Sequence, residues 1–283
     1  MELVSIAVIS RNHSIYLEKC LDNLLRQTYE HIEVILIDDN STDGTYDLVD
    51  SIDSSRLKYH KNESSIGLAR LRNVAISVAR GNFIFFTDAD CIPAVNWVEE
   101  GMKILIDEQY AGVEGYTTVE NQNFGLSTHF VENTSGGQYQ TCNVAYKKEY
   151  LIDVGLFDPR YSIAYEDVDL ALRIKNISKI AFCKDMLVFH QLIPWSIKSL
   201  LLNSRRAKYK VILIKQHDLL KTLPFRIVEP NSLIQALFPI LIPLYFRIKS
   251  PRDVCLIPFM LLRAILHRLI IWKTAINLNI FVI

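Results

Sequence analysis

The chain has 283 residues, half of them hydrophobic and 22% charged, which excludes a disordered or fibrous chain and leaves enough length for one large core or two modest ones. Its formal charge of zero conceals a split, because residues 1–182 carry a net −11 and residues 183–283 a net +11. Five scattered cysteines (Cys20, Cys91, Cys142, Cys183 and Cys255) without a C-x-x-C pair argue against a disulfide framework or a zinc site.

The first apolar, β-branched run, residues 3–10, predicts a strand. A polar loop, Arg11-Asn12-His13-Ser14, then leads into helical spacing over residues 15–25. Residues 32–37 repeat the strand signal and end at Asp38-Asp39-Asn40-Ser41-Thr42-Asp43-Gly44, which feeds a helix over residues 45–52. A short strand at 57–60, a helix at 67–79, a turn at Gly81-Asn82 and a strand at 83–87 complete the first half. This alternation predicts βαβ units and an α/β, Rossmann-like, mostly parallel sheet flanked by helices. Beyond Pro93 the spacing predicts a helix at 96–108, a polar stretch at 112–137 that reads as binding loop or disorder, and a strand at 141–146. A helix follows from about residue 167 to before 178, and then a strand-like run, Met186-Leu187-Val188-Phe189, that ends at His190.

Three acidic groups follow or open these elements: Asp38-Asp39, Asp88-Ala89-Asp90, and Glu166-Asp167-Val168-Asp169. Carboxylates at the carboxyl end of a buried strand sit where open α/β sheets bind ligands, and paired oxygens there suit Mg²⁺ or Mn²⁺ with a diphosphate as client. The same segments also read as a tight turn or as helix caps stabilised by the macrodipole.

The ordered series Val8-Ile9-Ser10-Arg11-Asn12, Ile37-Asp38-Asp39-Asn40-Ser41, Gly67-Leu68-Ala69-Arg70-Leu71-Arg72-Asn73, Thr87-Asp88-Ala89-Asp90, Gly155-Leu156-Phe157-Asp158 and Glu166-Asp167-Val168-Asp169 resembles the family 2 glycosyltransferases, inverting enzymes of the GT-A fold. The resemblance covers about two thirds of the chain. It implies that Asp39 accepts a hydrogen bond from the nucleobase and that Asp38, Ser10 and Arg11 line the same pocket. Arg11 stands where many relatives carry an aromatic residue. Arg72 would contact base or diphosphate, although on an isolated helix it reads as an exposed arginine. The resemblance further implies that Asp88 faces the ribose or metal waters, that Asp90 and His190 hold the metal, that Asp167 is the catalytic base, and that Glu166 orients the acceptor. Donor and acceptor would be a nucleotide sugar, most often a UDP-sugar, and a saccharide or lipid-linked saccharide.

The tail changes character at Trp195. Residues 230–246 carry no charge but are short for a span and include Pro239 and Pro243, while residues 254–272 read as a basic amphipathic helix interrupted by Arg263, His267 and Lys273. Its long Leu and Ile runs lack the interleaved aromatics that favour nucleic acid, so an anionic membrane surface is the expected partner, with packed helices or a homodimer interface as the competing reading. No secretory signal is apparent, which places the catalytic part at the cytoplasmic face. The expected division is a GT-A domain at 1–192 (a nucleotide-sugar half, 1–92, and an acceptor half, 93–192) and a basic apolar helical tail at 193–283. A nucleotidyltransferase, or a non-catalytic protein on the same fold, is the alternative; the loop after the first strand lacks the glycine-rich phosphate cradle the former would want.

Overall fold

The first apolar run becomes β1 (Val4–Ser10), every residue of it buried. It is followed by α1 (Ser14–Leu25), β2 (Ile32–Asp38), α2 (Thr45–Asp50), β3 (Leu57–Lys61), α3 (Leu68–Val78) and β4 (Phe83–Asp88), the βαβ alternation read from the sequence. The computed structural model describes residues 1–121, 124–237 and 248–283. Two compact units emerge, the first comprising residues 1–120, 131–162 and 166–191 and the second residues 121–130, 163–165 and 192–283.

The first unit continues with β5 (Cys91–Pro93), α4 (Trp97–Leu105) and β6 (Tyr110–Thr118). The two-residue β7 (Thr128–His129) belongs to the second unit. The first unit then resumes with β8 (Val144–Lys147), α5 (Lys148–Asp153), α6 (Glu166–Lys175) and β9 (Lys179–His190). Its eight strands run in the order β3-β2-β1-β4-β8-β6-β9-β5. Pairing is parallel from β3 to β4 and between β6 and β9, and antiparallel at β4–β8, β6–β8 and β5–β9.

Burial on both faces explains the unbroken apolar strands. Val4, Ile6, Val8, Val34 and Leu36 pack on one side with Leu17, Leu21 and Leu24 of α1 and Trp97 and Met102 of α4. Ala7, Ile9, Ile35 and Ile37 pack on the other with Leu71 and Ala75 of α3, Leu151 of α5 and Leu170 and Ile174 of α6. Phe85 meets Trp97 edge-on at 5.1 Å on the first side, and Phe86 meets Phe157 at 5.4 Å on the second.

The stretch 112–137, expected as loop, instead begins inside β6, an interior strand between β8 and β9. Its glycines masked the strand signal. They are there because the sheet is crowded: a Cβ on Gly112 would strike the Tyr146 ring, and one on Gly115 would strike the Met186 carbonyl and the Asn143 side chain.

In the second unit, β7 pairs antiparallel with β10 (Ile193–Pro194). Then come α7 (Ile197–Leu202), α8 (Arg206–Gln216), α9 (Pro230–Leu237) and a 27-residue helix, α10 (Pro251–Asn277). Ser250 caps α10 in a reciprocal capping box with Asp253. The carboxylate of Asp253 also accepts the N–H groups of Ser127, Lys249 and Ser250. Leu256 and Met260 pack with Leu126 and Leu200, and Ile271 and Ala275 with Ala207, Val211 and Ile214. Of the uncharged run at 230–246, residues 238–246 lie outside those described.

The α10 pattern departs from the expected basic amphipathic helix. His267 and Arg268 are buried and Arg263 is half-buried, so that of the basic positions expected to face outward Lys273 alone is exposed, whereas Val254, Leu262, Ile265, Leu269, Trp272 and Ile276 are exposed. Its best 18-residue window has a mean hydropathy of 2.0, long and apolar enough by length and composition to cross a membrane.

Candidate active site

Parallel register brings the carboxyl ends of the first strands level: Ser10 lies opposite Asp38, and Ile9 opposite Asp88. The Asp39 amide donates to the Ser10 carbonyl at 2.9 Å and the Ala89 amide to the Ile9 carbonyl at 3.3 Å. The acidic groups thus collect along one sheet edge, as a strand-end site requires.

Asp38 and Asp39 differ in what they hold. Asp38 is fully buried, accepting from the Ser41 amide at 2.8 Å and the Tyr59 hydroxyl at 2.6 Å. Burial and then this carboxylate push the Tyr59 phenol up. Asp38 therefore pins the turn. Asp39 accepts from Ser65 Oγ at 2.5 Å and the Ile66 amide at 3.0 Å, and the half-exposed Arg11 lies 3.6 Å away. Each Asp39 oxygen keeps a second lone pair for a further donor. Ser10 Oγ is buried at the end of β1 and has no hydrogen-bond partner.

Arg72, readable as an exposed helix arginine, is only 3% exposed. Its guanidinium donates to Glu166 Oε1 at 2.5 Å and to Asp88 Oδ1 at 3.3 Å, and lies 5.9 Å from the Phe157 ring centroid. Burial opposes its charge, yet the carboxylates of Glu166, Asp88 and Asp167 outweigh that and raise its pKa. Asp88 is pushed up by burial; Arg72 and His190 pull it down, and Asp90 and Asp167 push it further up. Glu166, expected at the acceptor, is 2% exposed and spends Oε1 on Arg72. Asp167 is half-buried at the start of α6. Asp169 is fully buried in an ion pair with Arg173 at 2.7 Å, a helix-internal role.

The pairing of β5 with β9 sets Cys91 opposite His190, and the Gln191 amide donates to the Asp90 carbonyl at 2.8 Å. His190 Nδ1 lies 2.7 Å from the Gln191 carbonyl oxygen, and Nε2 lies 3.9 Å from Asp90 Oδ1. A carbonyl only accepts, so Nδ1 donates to it and Nε2 is the ring nitrogen that faces Asp90. Two bonds near 2.1 Å span at most about 4.2 Å, so both atoms are close enough to reach one divalent ion. Cys91 Sγ completes a buried trio whose ligand atoms lie within 4.8 Å of one another. Burial pushes its thiol well up, and a hard cation prefers the oxygen and imidazole.

Glu114, on β6, was not singled out by the sequence. It is 3% exposed and accepts from Asn133 Nδ2 at 3.0 Å and from the amides of Gly137, Gln138 and Tyr139 at 2.5, 3.1 and 2.9 Å. That loop needs positive φ at Gly136, Gly137 and Tyr139, a shape one carboxylate holds by gathering its amides. The available signal was a lone acid among strand formers, about twenty residues before a Gly-Gly pair.

The sequence model of the family described as Glycosyl transferase family 2 matches residues 5–155. The chain is 30% identical over 182 residues to the Escherichia coli UDP-Glc:alpha-D-GlcNAc-diphosphoundecaprenol beta-1,3-glucosyltransferase WfaP, covering 63% of this chain and 72% of that one. It is 38% identical over 100 residues to the glycosyltransferase GlyG of Streptococcus pneumoniae, covering 35% of this chain and 33% of GlyG's own length. Among solved structures, the mannosyltransferase PcManGT from Pyrobaculum calidifontis in complex with GDP-Man and Mn²⁺ superposes with a TM-score of 0.60 at 19% identity, covering 98% of this chain and 74% of that one. Staphylococcus aureus TarS 1–349 in complex with UDP-GlcNAc gives 0.59 at 16% identity, covering 99% and 93%. With its strand-end carboxylates and mixed sheet of GT-A type, the chain belongs to glycosyl transferase family 2.

Proposed function

We propose that this enzyme transfers a sugar from a nucleotide-sugar donor, a UDP-sugar, to a hydroxyl of a lipid-linked saccharide by single displacement with inversion. The observation that carries the reading is the buried Arg72, whose guanidinium joins Asp88 at the end of β4 to Glu166 at the start of α6. One cation thereby ties a donor-side carboxylate to the helix that presents Asp167. WfaP, by its name, uses UDP-Glc and a diphosphoundecaprenol-linked GlcNAc, which supports the choice of donor and acceptor class.

In this reading Asp39 accepts from the nucleobase, Arg11 lies over it, and Ser10 with Asp38 shapes the floor of the pocket. Asp88 faces the donor ribose, held in place by Arg72, so Glu166 acts as a positioning residue through that guanidinium. Asp90 and His190 are the residues that would hold Mg²⁺ or Mn²⁺. When bound, the ion neutralises charge on the departing nucleoside diphosphate. Asp167 takes the proton from the acceptor hydroxyl as its oxygen attacks the anomeric carbon, and one base with one displacement inverts that centre. Residues 1–192 would form the catalytic domain and 193–283 a tail seated at the cytoplasmic face of a membrane, with the apolar face of α10 toward lipid.

Purified enzyme offered a panel of nucleotide sugars with a lipid-linked saccharide tests this directly. A β-linked product from an α-linked donor is expected. Asp167→Asn should lower transfer by about 10²-fold or more with donor affinity retained. A product keeping the donor's anomeric configuration, or near-normal transfer by Asp167→Asn, refutes the single-displacement assignment.

A further inference from the structure

The second unit holds an imbalance of charge that its own packing does not resolve. Residues 192–283 include fourteen Lys and Arg but only Asp218, Glu229 and Asp253 as acids. Asp218 is taken by Lys221 at 2.8 Å, and Asp253 by the amides around the start of α10. Glu229 is left facing several cations. His267 Nε2 lies 2.6 Å from its carboxylate, and Tyr165 donates to it at 3.1 Å, with Lys210 Nζ 5.1 Å from the Tyr165 ring centroid. Burial would raise the Glu229 carboxyl, but His267, Lys210 and the Tyr165 hydroxyl hold it down at about 2.

Two guanidinium positions beside Glu229 remain unanswered. Arg268 is 2% exposed and donates to Ser232 Oγ and to the Val228 and Glu229 carbonyls, yet its Nη1 is buried without a partner. Arg263 donates to Asn203 Oδ1 at 3.2 Å, while its Nε is likewise buried and without a partner. A buried N–H with no acceptor destabilises the fold, more so on a charged group, unless a ligand answers it. Lys210, Arg263 and Arg268 outnumber the one carboxylate among them, Glu229, and an excess of positive charge of this kind suits a diphosphate diester. The opposite face of the same helix is the apolar row from Val254 to Ile276, which suits a ligand whose other end is hydrocarbon.

We propose that Lys210, Arg263 and Arg268, with His267, form a site for a diphosphate carried on a lipid, the group that tethers the acceptor saccharide. The site rests on the lipid-linked acceptor proposed above and adds the residues that hold it. Guanidinium groups match the forked oxygens of a diphosphate, and the lysine adds a point charge.

The test uses the full chain and inorganic diphosphate as probe, titrated calorimetrically in excess chelator so that no metal-dependent binding contributes. Wild type and Asp90→Ala should bind it alike, and Lys210→Gln/Arg263→Gln should bind it at least tenfold more weakly while still melting cooperatively. With a lipid diphosphate-linked acceptor, the double variant should raise KM tenfold or more, with a smaller effect on kcat. Equal diphosphate binding by wild type and the double variant overturns the proposal. So does a tenfold loss of binding to phosphatidylglycerol vesicles with diphosphate binding intact, which would make the cluster a general headgroup surface. If the double variant misfolds, Arg263→Lys, which keeps the charge but loses the fork, should still weaken diphosphate binding several-fold; unchanged binding there also counts against it. Diphosphate binding that follows these residues in a protein inactive with every nucleotide sugar would retain the site and reject the transferase reading, so the two fail separately.

Discussion

Replacing Arg72 with Met keeps the side-chain stem and removes the charge that Glu166 and Asp88 share. The pair with Glu166 spans 2.5 Å with both side chains 3% exposed. At an effective dielectric of about 20 that attraction is roughly 6–7 kcal/mol before desolvation is subtracted. Removing one partner of such a pair strands the other, and the expected loss is about 3–5 kcal/mol. Urea unfolding followed by tryptophan fluorescence reads the change, because Trp97 lies in the core of the same unit. Arg72→Met/Glu166→Leu should recover most of the lost stability, since a well-packed apolar pair replaces a buried ionic one at little cost. Transfer should stay low in that double variant, because Asp88 still lacks the guanidinium 3.3 Å away. A loss below about 1 kcal/mol in Arg72→Met, or a double variant no more stable than the single one, refutes the argument that a buried charge lock joins β4 to α6.

Asp90→Ala should abolish turnover and metal-dependent binding of nucleoside diphosphate; full wild-type activity in excess chelator would count against metal assistance. Glu114→Gln replaces one of two accepting oxygens with a donor facing backbone amides, so hydrogen exchange should quicken at Gly137 and Tyr139 and the acceptor KM should rise about tenfold. Unchanged exchange there would remove Glu114 from the loop's support. Glu229, held at about 2 against an ordinary 4.5, contributes stability that is fully present above pH 4.5 and lost as pH falls toward 2. The second unit should therefore lose on the order of 2–3 kcal/mol across that window, and Glu229→Gln should flatten the acid limb.

The order of elements in the first half was legible because strand and helix periods alternate cleanly from Val4 to Asp88, and two-sided burial writes β1 and β2 as unbroken apolar runs. Local chemistry was sufficient for the carboxylates at the ends of β2 and β4. Asp88 and Arg72 are sixteen residues apart and Arg72 and Glu166 ninety-four, so no local period encodes their meeting. Only packing of α3 and α6 on the same face of the sheet turned an arginine readable as exposed into a buried bridge. β6 was hidden because its glycines answer to Tyr146, Met186 and Asn143, neighbours supplied by distant segments. In α10 the sequence determined a long apolar helix with basic interruptions, which by spacing alone reads as charge outward. The tertiary structure turned Arg263, His267 and Arg268 inward, because Asn203, Glu229 and Ser232 offer partners there, and left Lys273 outward beside the exposed apolar row.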